Sequence, residues 1–458
     1  MVRYKRSLPL QWTQPPRRQP KSFPRPEVRL PLHMFKYLRQ LWQSEDLRRR
    51  IFITLWLLLI YRIVAHIAVP GADPFALRQF LESRGGAGAV GVFAALTGGA
   101  IDNFSVVMLG LSPYINASII IQLCTVIFPK LEAISKEGAQ GQQQLNRYTR
   151  YLSFPLSFVQ SYGFLILLGR GGIQLVDLSF PSVLSSMLFV TAGSIFLMWI
   201  GELITEKGIG NGISLIIFTG IVSGIPAVVS SMFIAGEGKM AAFYLFCIVS
   251  LAMLVAVVLF TDAHRLIPIT YANQGAGRGV QASIPIRLNQ AGMIPIIFAI
   301  SLITLPAIIA QFLSTAERFR PVVNFINIYV NPQNPSIIYM LLYFLLIMGF
   351  TFFYVSVTFK PDDVAETIQK RGGFVPGVRP GKPTAELLAK VSSRMNFWGG
   401  VFLAIVAIVP LIFTRYSALS SQDLIISGSG LIIIVGVVME LIRQINAQLL
   451  AHDYEKLV

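Results

Sequence analysis

The chain has 458 residues, of which 54% are apolar and only 13% charged, with a mean hydropathy of +0.64. Soluble domains carry about 25% charged residues, so this composition excludes a water-soluble multidomain enzyme and a disordered tail protein. It points to an all-α polytopic membrane protein, and the excess of 38 Lys and Arg over 22 Asp and Glu belongs mostly in cytoplasmic loops.

Residues 1–32, rich in Pro, Arg and Lys, lack apolar periodicity and read as a basic disordered arm. No apolar core with a small-residue cleavage site precedes the first span, so a secretory signal is not expected. Residues 34–50 (MFKYLRQLWQSEDLRRR) fit an amphipathic helix on the membrane surface. Ten apolar stretches follow, each near the ~20 residues a bilayer requires. They are 51–69, 107–128, 151–169, 182–201, 213–232, 240–260, 291–312, 337–359, 397–414 and 424–442. Lipid cannot satisfy free backbone groups, so each should be helical. Ten spans put both termini on one side, with 30 of the 38 Lys and Arg, against seven opposite and Arg62 inside a span. The richer side is the cytoplasmic one.

Several features exceed what a simple bundle needs. Residues 85–105 (GGAGAVGVFAALTGGAIDNFS) are apolar, glycine-rich and too short to cross, which suits a packed surface loop or a re-entrant segment. The second span carries Ser112, Pro113, Asn116, Ser118 and Gln122; Pro113 should break its hydrogen-bond ladder, and the polar groups should face a seam or cavity. The seventh matches it with Asn289, Gln290, Gly292 and Pro295. Two cytoplasmic loops, 261–288 and 360–396, exceed the ~12–15 residues beyond which an unstructured loop is usually functional or disordered. In the second, a helical piece (Pro361 to Lys370) precedes two Pro-Gly turns, at 376–377 and 380–381, that should present Arg379 at a defined tip.

The chain contains neither GxxxxGK[ST] nor HExxH, and GIGNG at 208–212 does not fit a dinucleotide-binding fingerprint. Its four histidines are scattered, and Cys124 and Cys247 sit in apolar segments. No catalytic, metal or cofactor site is expected, and any energy source belongs to a partner. A secondary transporter of a small solute is the rival reading. It calls for an intramembrane charge pair or a broken-helix ion site, and Arg62 alone is too near an edge to supply one.

The stretches LSPYINASIIIQL (111–123), SKEGAQGQQQLNRYTRY (135–151), GELITEKGIGNGISLIIFTGIVSGIP (201–226), NQAGMIPIIFA (289–299) and FVPGVRPGKPTAE (374–386) resemble the SecY family, the channel subunit of the bacterial-type Sec protein translocase. The resemblance runs from about residue 40 to 455. It implies two pseudo-symmetric five-helix halves, 36–235 and 236–458, with the arm 1–35 apart, and a pathway for unfolded preproteins between the halves. The resemblance implies a pore ring of Leu111, Ile115, Ile213, Ile217, Ile297 and Ile433, and a re-entrant plug at about 89–103 that includes Leu96, Gly98, Gly99 and Ile101. It implies a lateral gate between spans 2–3 and 7–8 with Asn116, Gln122, Asn289 and Gln290. It implies docking of a ribosome or a SecA motor through Arg278 and Arg379. The family often has two adjacent basic residues in the first docking loop; here Arg278 precedes Gly279. The implied partners are SecE- and SecG-type subunits, SecA, the ribosome, signal-bearing preproteins and membrane lipids. The implied location is a plasma (inner) membrane, crossed many times with both termini cytoplasmic; a plastid thylakoid is the alternative.

Overall fold

The computed structural model describes residues 44–70, 104–169, 179–234, 237–271, 280–313, 317–330, 336–416 and 428–455. The described elements run α1 (Glu45–Val64), α2 (Ser112–Ile127), α3 (Pro129–Lys136), α4 (Ala139–Gly169), α5 (Phe180–Lys207), α6 (Gly212–Ile234), α7 (Glu237–Asp262), β1 (His264–Tyr271), β2 (Val280–Arg287), α8 (Ile294–Leu313), a 3₁₀ turn (Glu317–Phe319), α9 (Arg320–Tyr329), α10 (Ile337–Thr358), α11 (Pro361–Lys370), β3 (Gly373–Phe374), α12 (Lys382–Tyr416) and α13 (Gly428–Glu455). A helix coincides with each of the ten expected stretches. Among the described residues, four helices are long and apolar enough on length and composition alone to cross a membrane, five if the bent pair α2–α3 counts as one span.

Prolines set many of the boundaries. Pro113 is expected to interrupt a helix beginning at 107; instead it stands in the first turn of α2, where its missing N–H costs nothing, and 106–111 are turns. Phe128, ahead of Pro129, is extended (φ −103°, ψ 113°), as a residue before proline prefers. The axis bends there by 103° and α3 leaves at an angle that no sequence pattern announced. Pro155, Pro226, Pro306 and Pro410 lie inside α4, α6, α8 and α12. Asn211 Oδ1 accepts from the N–H groups of Ile213 and Ser214 and so caps α6.

Helix packing follows the chain order closely. α4 packs on α2 and α5, α5 on α6, α8 on α10, α10 on α12 and α12 on α13; α13 also meets α6 and α7. One apolar core joins α7, α8, α10, α12 and α13 to Ile119 of α2. A second joins α1, α5 and α6 to Leu111, Met293, Ile433 and Val437. The end of α1 is stitched to the start of the second span by an antiparallel bridge between Ala68 and Ser105, with Val69 N–H donating to the Phe104 carbonyl at 2.9 Å.

The two long loops are folded: the expected helix Pro361–Lys370 is present, and strands that the sequence reading did not place join it. β1 and β2 form a hairpin in register His264↔Arg287 through Tyr271↔Val280, and β3 adds at Thr270↔Phe374. Ile267, Ile269 and Ile286 pack on Ala365, Ile368, Val375, Ala385 and Leu388. The strands escaped sequence reasoning because Pro268 and Pro285 argue against a strand. Pro285 lies on an edge strand, and Pro268 lies where β1 has no second neighbour, so neither missing donor is felt. Of the expected surface helix 34–50, residues 45–50 are the beginning of α1, Ser44 precedes it, and 34–43 lie outside the described residues.

Candidate functional site: an aliphatic waist, a seam and a docking platform

The six aliphatic residues singled out in the sequence come together. Leu111, Ile217 and Ile433 are buried in one apolar cluster, and Ile115, Ile213 and Ile297 pack half-buried against it. They arrive from four elements: the turn and first coil of α2, α6, α8 and α13. Leu111 accepts the Ile115 N–H at 3.0 Å, so the pair stacks one turn apart. Close approach of α5 and α6 holds Ile213 in place: a Cβ on Gly212 would run into the Gly201 carbonyl, and one on Gly201 would meet Ile213 Cγ1 at 3.2 Å. Met293 and Val437 join the cluster and were missed; each stands four residues from a named member, Ile297 or Ile433, and helical spacing alone would have found them.

The seam between α2 and α4 on one side and α8 on the other is closed. Its contact is apolar: Ile119 is buried against the cluster that contains Ile296, Ile300 and Ile303. The four polar residues assigned to it are not joined across it. Asn116 is half-buried on α2. Gln122 donates to Ser118 Oγ at 3.2 Å, one turn back. Gln290 Oε1 accepts from Ser392 Oγ of α12 at 2.8 Å, while Asn289 Oδ1 and Gln290 Nε2 are buried with no hydrogen-bond partner among the described residues. Below α2, Lys136 and Glu132 pair at 2.7 Å on α3. The hydrogen bond and charge of Lys136 hold the Glu132 carboxyl below the usual range, and the charge of Lys360, at the start of α11, adds to this.

Arg379 is exposed between two turns. Val378 N–H donates to the Val375 carbonyl at 3.1 Å, with Pro376 and Gly377 (φ 84°) in the central positions; the proline and the positive φ mark a type II turn. Gly381 (φ 93°) follows, and Thr384 Oγ1 donates to the Arg379 carbonyl at 2.9 Å. The Arg379 backbone is therefore fixed while its guanidinium projects from the platform. At the base of the hairpin, Arg443 of α13 donates to the Thr261 carbonyl at 2.9 Å and lies 3.6 Å from Asp262. Burial, then the neighbouring Arg443, draws the Arg287 guanidinium below its ordinary value. Leu96, Gly98, Gly99, Ile101 and Arg278 lie outside the described residues. Among the described residues no group of three His, Cys, Asp or Glu comes together to hold a metal.

A multi-pass helical membrane protein with an aliphatic waist and a lateral seam has the fold of a protein-conducting channel. Solved structures share it. One is described as a protein conducting channel (TM-score 0.59, 18% identical, covering 87% of this chain and 92% of that one). Another concerns the SecY plug domain stabilising the closed state (TM-score 0.61, 18% identical, 87% and 92% covered). A third is Sec61 in the canine ribosome–channel complex (TM-score 0.57, 18% identical, 87% and 92% covered). The SecY family model matches residues 105–442. Proteins called protein translocase subunit SecY are 38% identical over 433 residues in Streptomyces galbus and in Mycobacterium bovis, covering 90% of this chain and 97% of each. The chain belongs to the SecY family.

Proposed function

We propose that this chain is the protein-conducting channel subunit of a Sec translocase, passing unfolded preproteins through the aliphatic waist and releasing apolar segments through the α2–α8 seam. The observation that carries this is the convergence of Leu111, Ile115, Ile213, Ile217, Ile297 and Ile433 from four elements into one cluster. Aliphatic side chains offer no hydrogen bonds, so they can close around any sequence without holding it. A narrow apolar constriction also resists ions by dewetting. Residues 89–103, with Leu96, Gly98, Gly99 and Ile101, act as the plug. Residues 36–235 and 236–458 are the two halves that part, and Asn116, Gln122, Asn289 and Gln290 line the gate.

The platform and both termini face the cytoplasm of a plasma (inner) or thylakoid membrane, a placement that the charge asymmetry supports. Arg379 and Arg278 meet the motor or the ribosome; the platform is folded and basic and exposes Arg379, which suits carboxylates and phosphates alike. SecE- and SecG-type subunits flank the spans, and the force comes from SecA or from the translating ribosome. Docking can open the waist only by the difference in its affinity for the open and closed forms.

Single-channel recording tests the waist. Deletion of 89–103, or the pair Ile115→Gly and Ile217→Gly, should raise resting ion conductance; an unchanged leak removes the assignment of ring and plug.

A further inference from the structure

The helix α9 has three unlike faces. Val323 and Val330 are buried and Ile326 half-buried, and Val330 and Ile326 join the core that α8 and α10 share. Arg320 and Asn324, one turn apart, form an exposed polar flank. Between them, on the side away from the protein, lie Val322, Phe325 and Ile328 at 46%, 57% and 62% exposure. A connecting helix in water has no reason to expose its largest apolar groups opposite its core contact. Nor is it loosely held. Ser336 Oγ donates to the Tyr329 carbonyl at 2.7 Å and accepts from Tyr339 N–H at 3.0 Å, which fixes the end of α9 to the first turn of α10. There Ile337, Ile338 and Leu341 continue the exposed apolar surface along a membrane span.

We infer that α9 is an interfacial anchor: it lies in the extracytoplasmic leaflet, with Val322, Phe325 and Ile328 in the acyl boundary and Arg318 and Arg320 at the lipid phosphates. The occupant is lipid because the apolar stripe is continuous with the lipid-facing surface of α10 and is bordered by cations, the pattern of a helix lying in an interface. The anchor ties the connection between the gate helix α8 and α10 to a fixed depth. It rests on the reading of α8 and α10 as membrane spans.

The experiment places a fluorophore on Phe325→Cys, Asn324→Cys or Leu345→Cys, each in a Cys124→Ser, Cys247→Ser background. The full chain, with its accompanying small subunits, is reconstituted in phosphatidylethanolamine–phosphatidylglycerol vesicles. Nitroxide lipids quench from shallow or deep positions, and iodide quenches from water. At Phe325→Cys the shallow lipid should quench, and iodide should quench at least about threefold less than at Asn324→Cys; the deep lipid should quench Leu345→Cys. Equal iodide quenching at 324 and 325, with Leu345→Cys still quenched by deep lipid, overturns the anchor and leaves the span. Protection of 325 from both quenchers means that protein covers the stripe, which also overturns it. Loss of deep quenching at Leu345→Cys removes the spanning reading, and the anchor with it.

Discussion

At the residue scale, glycines and one arginine carry the sharpest consequences. A methyl group has no room at Gly212 or Gly193: its carbon would strike the Gly201 or Val106 carbonyl, backbone that cannot step aside. Gly212→Ala and Gly193→Ala should each destabilise by about 1–3 kcal/mol, measured as a lower thermal midpoint of the detergent-solubilised complex. Gly377 is different. Nothing stands within 4 Å of its missing Cβ, and only its φ of 84° matters. Gly377→Ala should therefore cost about 1–2 kcal/mol locally and blur the position of Arg379 while leaving the waist intact. Arg379→Glu reverses the charge of an exposed group and disturbs no core. Motor-driven export should fall by more than tenfold at unchanged protein level, since each charge-assisted contact contributes about 1.5–3 kcal/mol; normal export in that variant refutes the docking role.

At the element scale, helices are held to one another by single polar contacts set among apolar ones. Thr54 Oγ1 of α1 accepts the Ile209 N–H at 3.0 Å and donates to the Arg50 carbonyl. Arg150 of α4 bonds Glu202 of α5 at 2.6 Å. Arg443 caps the carbonyl end of α7 from α13, where a cation is favoured by the helix dipole. α13 also carries Ile433, so the hairpin base and the waist share one continuous helix. Arg443→Gln should cost about 1–3 kcal/mol and weaken the coupling between docking and opening, read as a lower ratio of preprotein-stimulated to basal motor ATPase. The α3 pair gives a pH dependence. The Glu132 carboxyl is depressed in the fold, so its contribution is complete above the ordinary carboxylate value and is lost as pH falls through the depressed one. Both partners are exposed, so the effect on the thermal midpoint is small; Glu132→Gln should abolish it.

At the scale of the whole molecule, the apolar clusters meet at Ile115, which touches both. The waist and the seam therefore share a side chain, and parting α2 from α8 disturbs the ring. Because, among the described residues, the seam is closed by Ile119 and its aliphatic neighbours and not by hydrogen bonds across it, an apolar signal helix can replace those contacts in kind. Ile119→Ala should weaken the closed state by up to about 2 kcal/mol, a shift of roughly thirtyfold in the closed-to-open ratio. Export of a substrate with a shortened apolar signal should rise. An unchanged requirement for a strongly apolar signal places the closing contacts elsewhere.

The membrane class and the ten helical stretches could be read from the residues alone, whereas the residues proposed for the waist rested on the resemblance of whole motifs. Hydropathy is a local quantity, and lipid leaves a long apolar segment no alternative to a helix. The bounds Pro361–Lys370 were legible for the same reason, since a proline start and a following Gly-Gly are local signals. Tertiary structure alone decided the rest. Pro113 begins a helix because the preceding turns are pinned to α1. Two loops with prolines became one sheet-and-helix platform because Ile267, Ile269 and Ile286 found Ile368 and Leu388 some 80 to 120 residues away. Gln290 bonds Ser392 because α12 passes beside it. These are long-range pairings, and no window of neighbouring residues contains the partner that settles them.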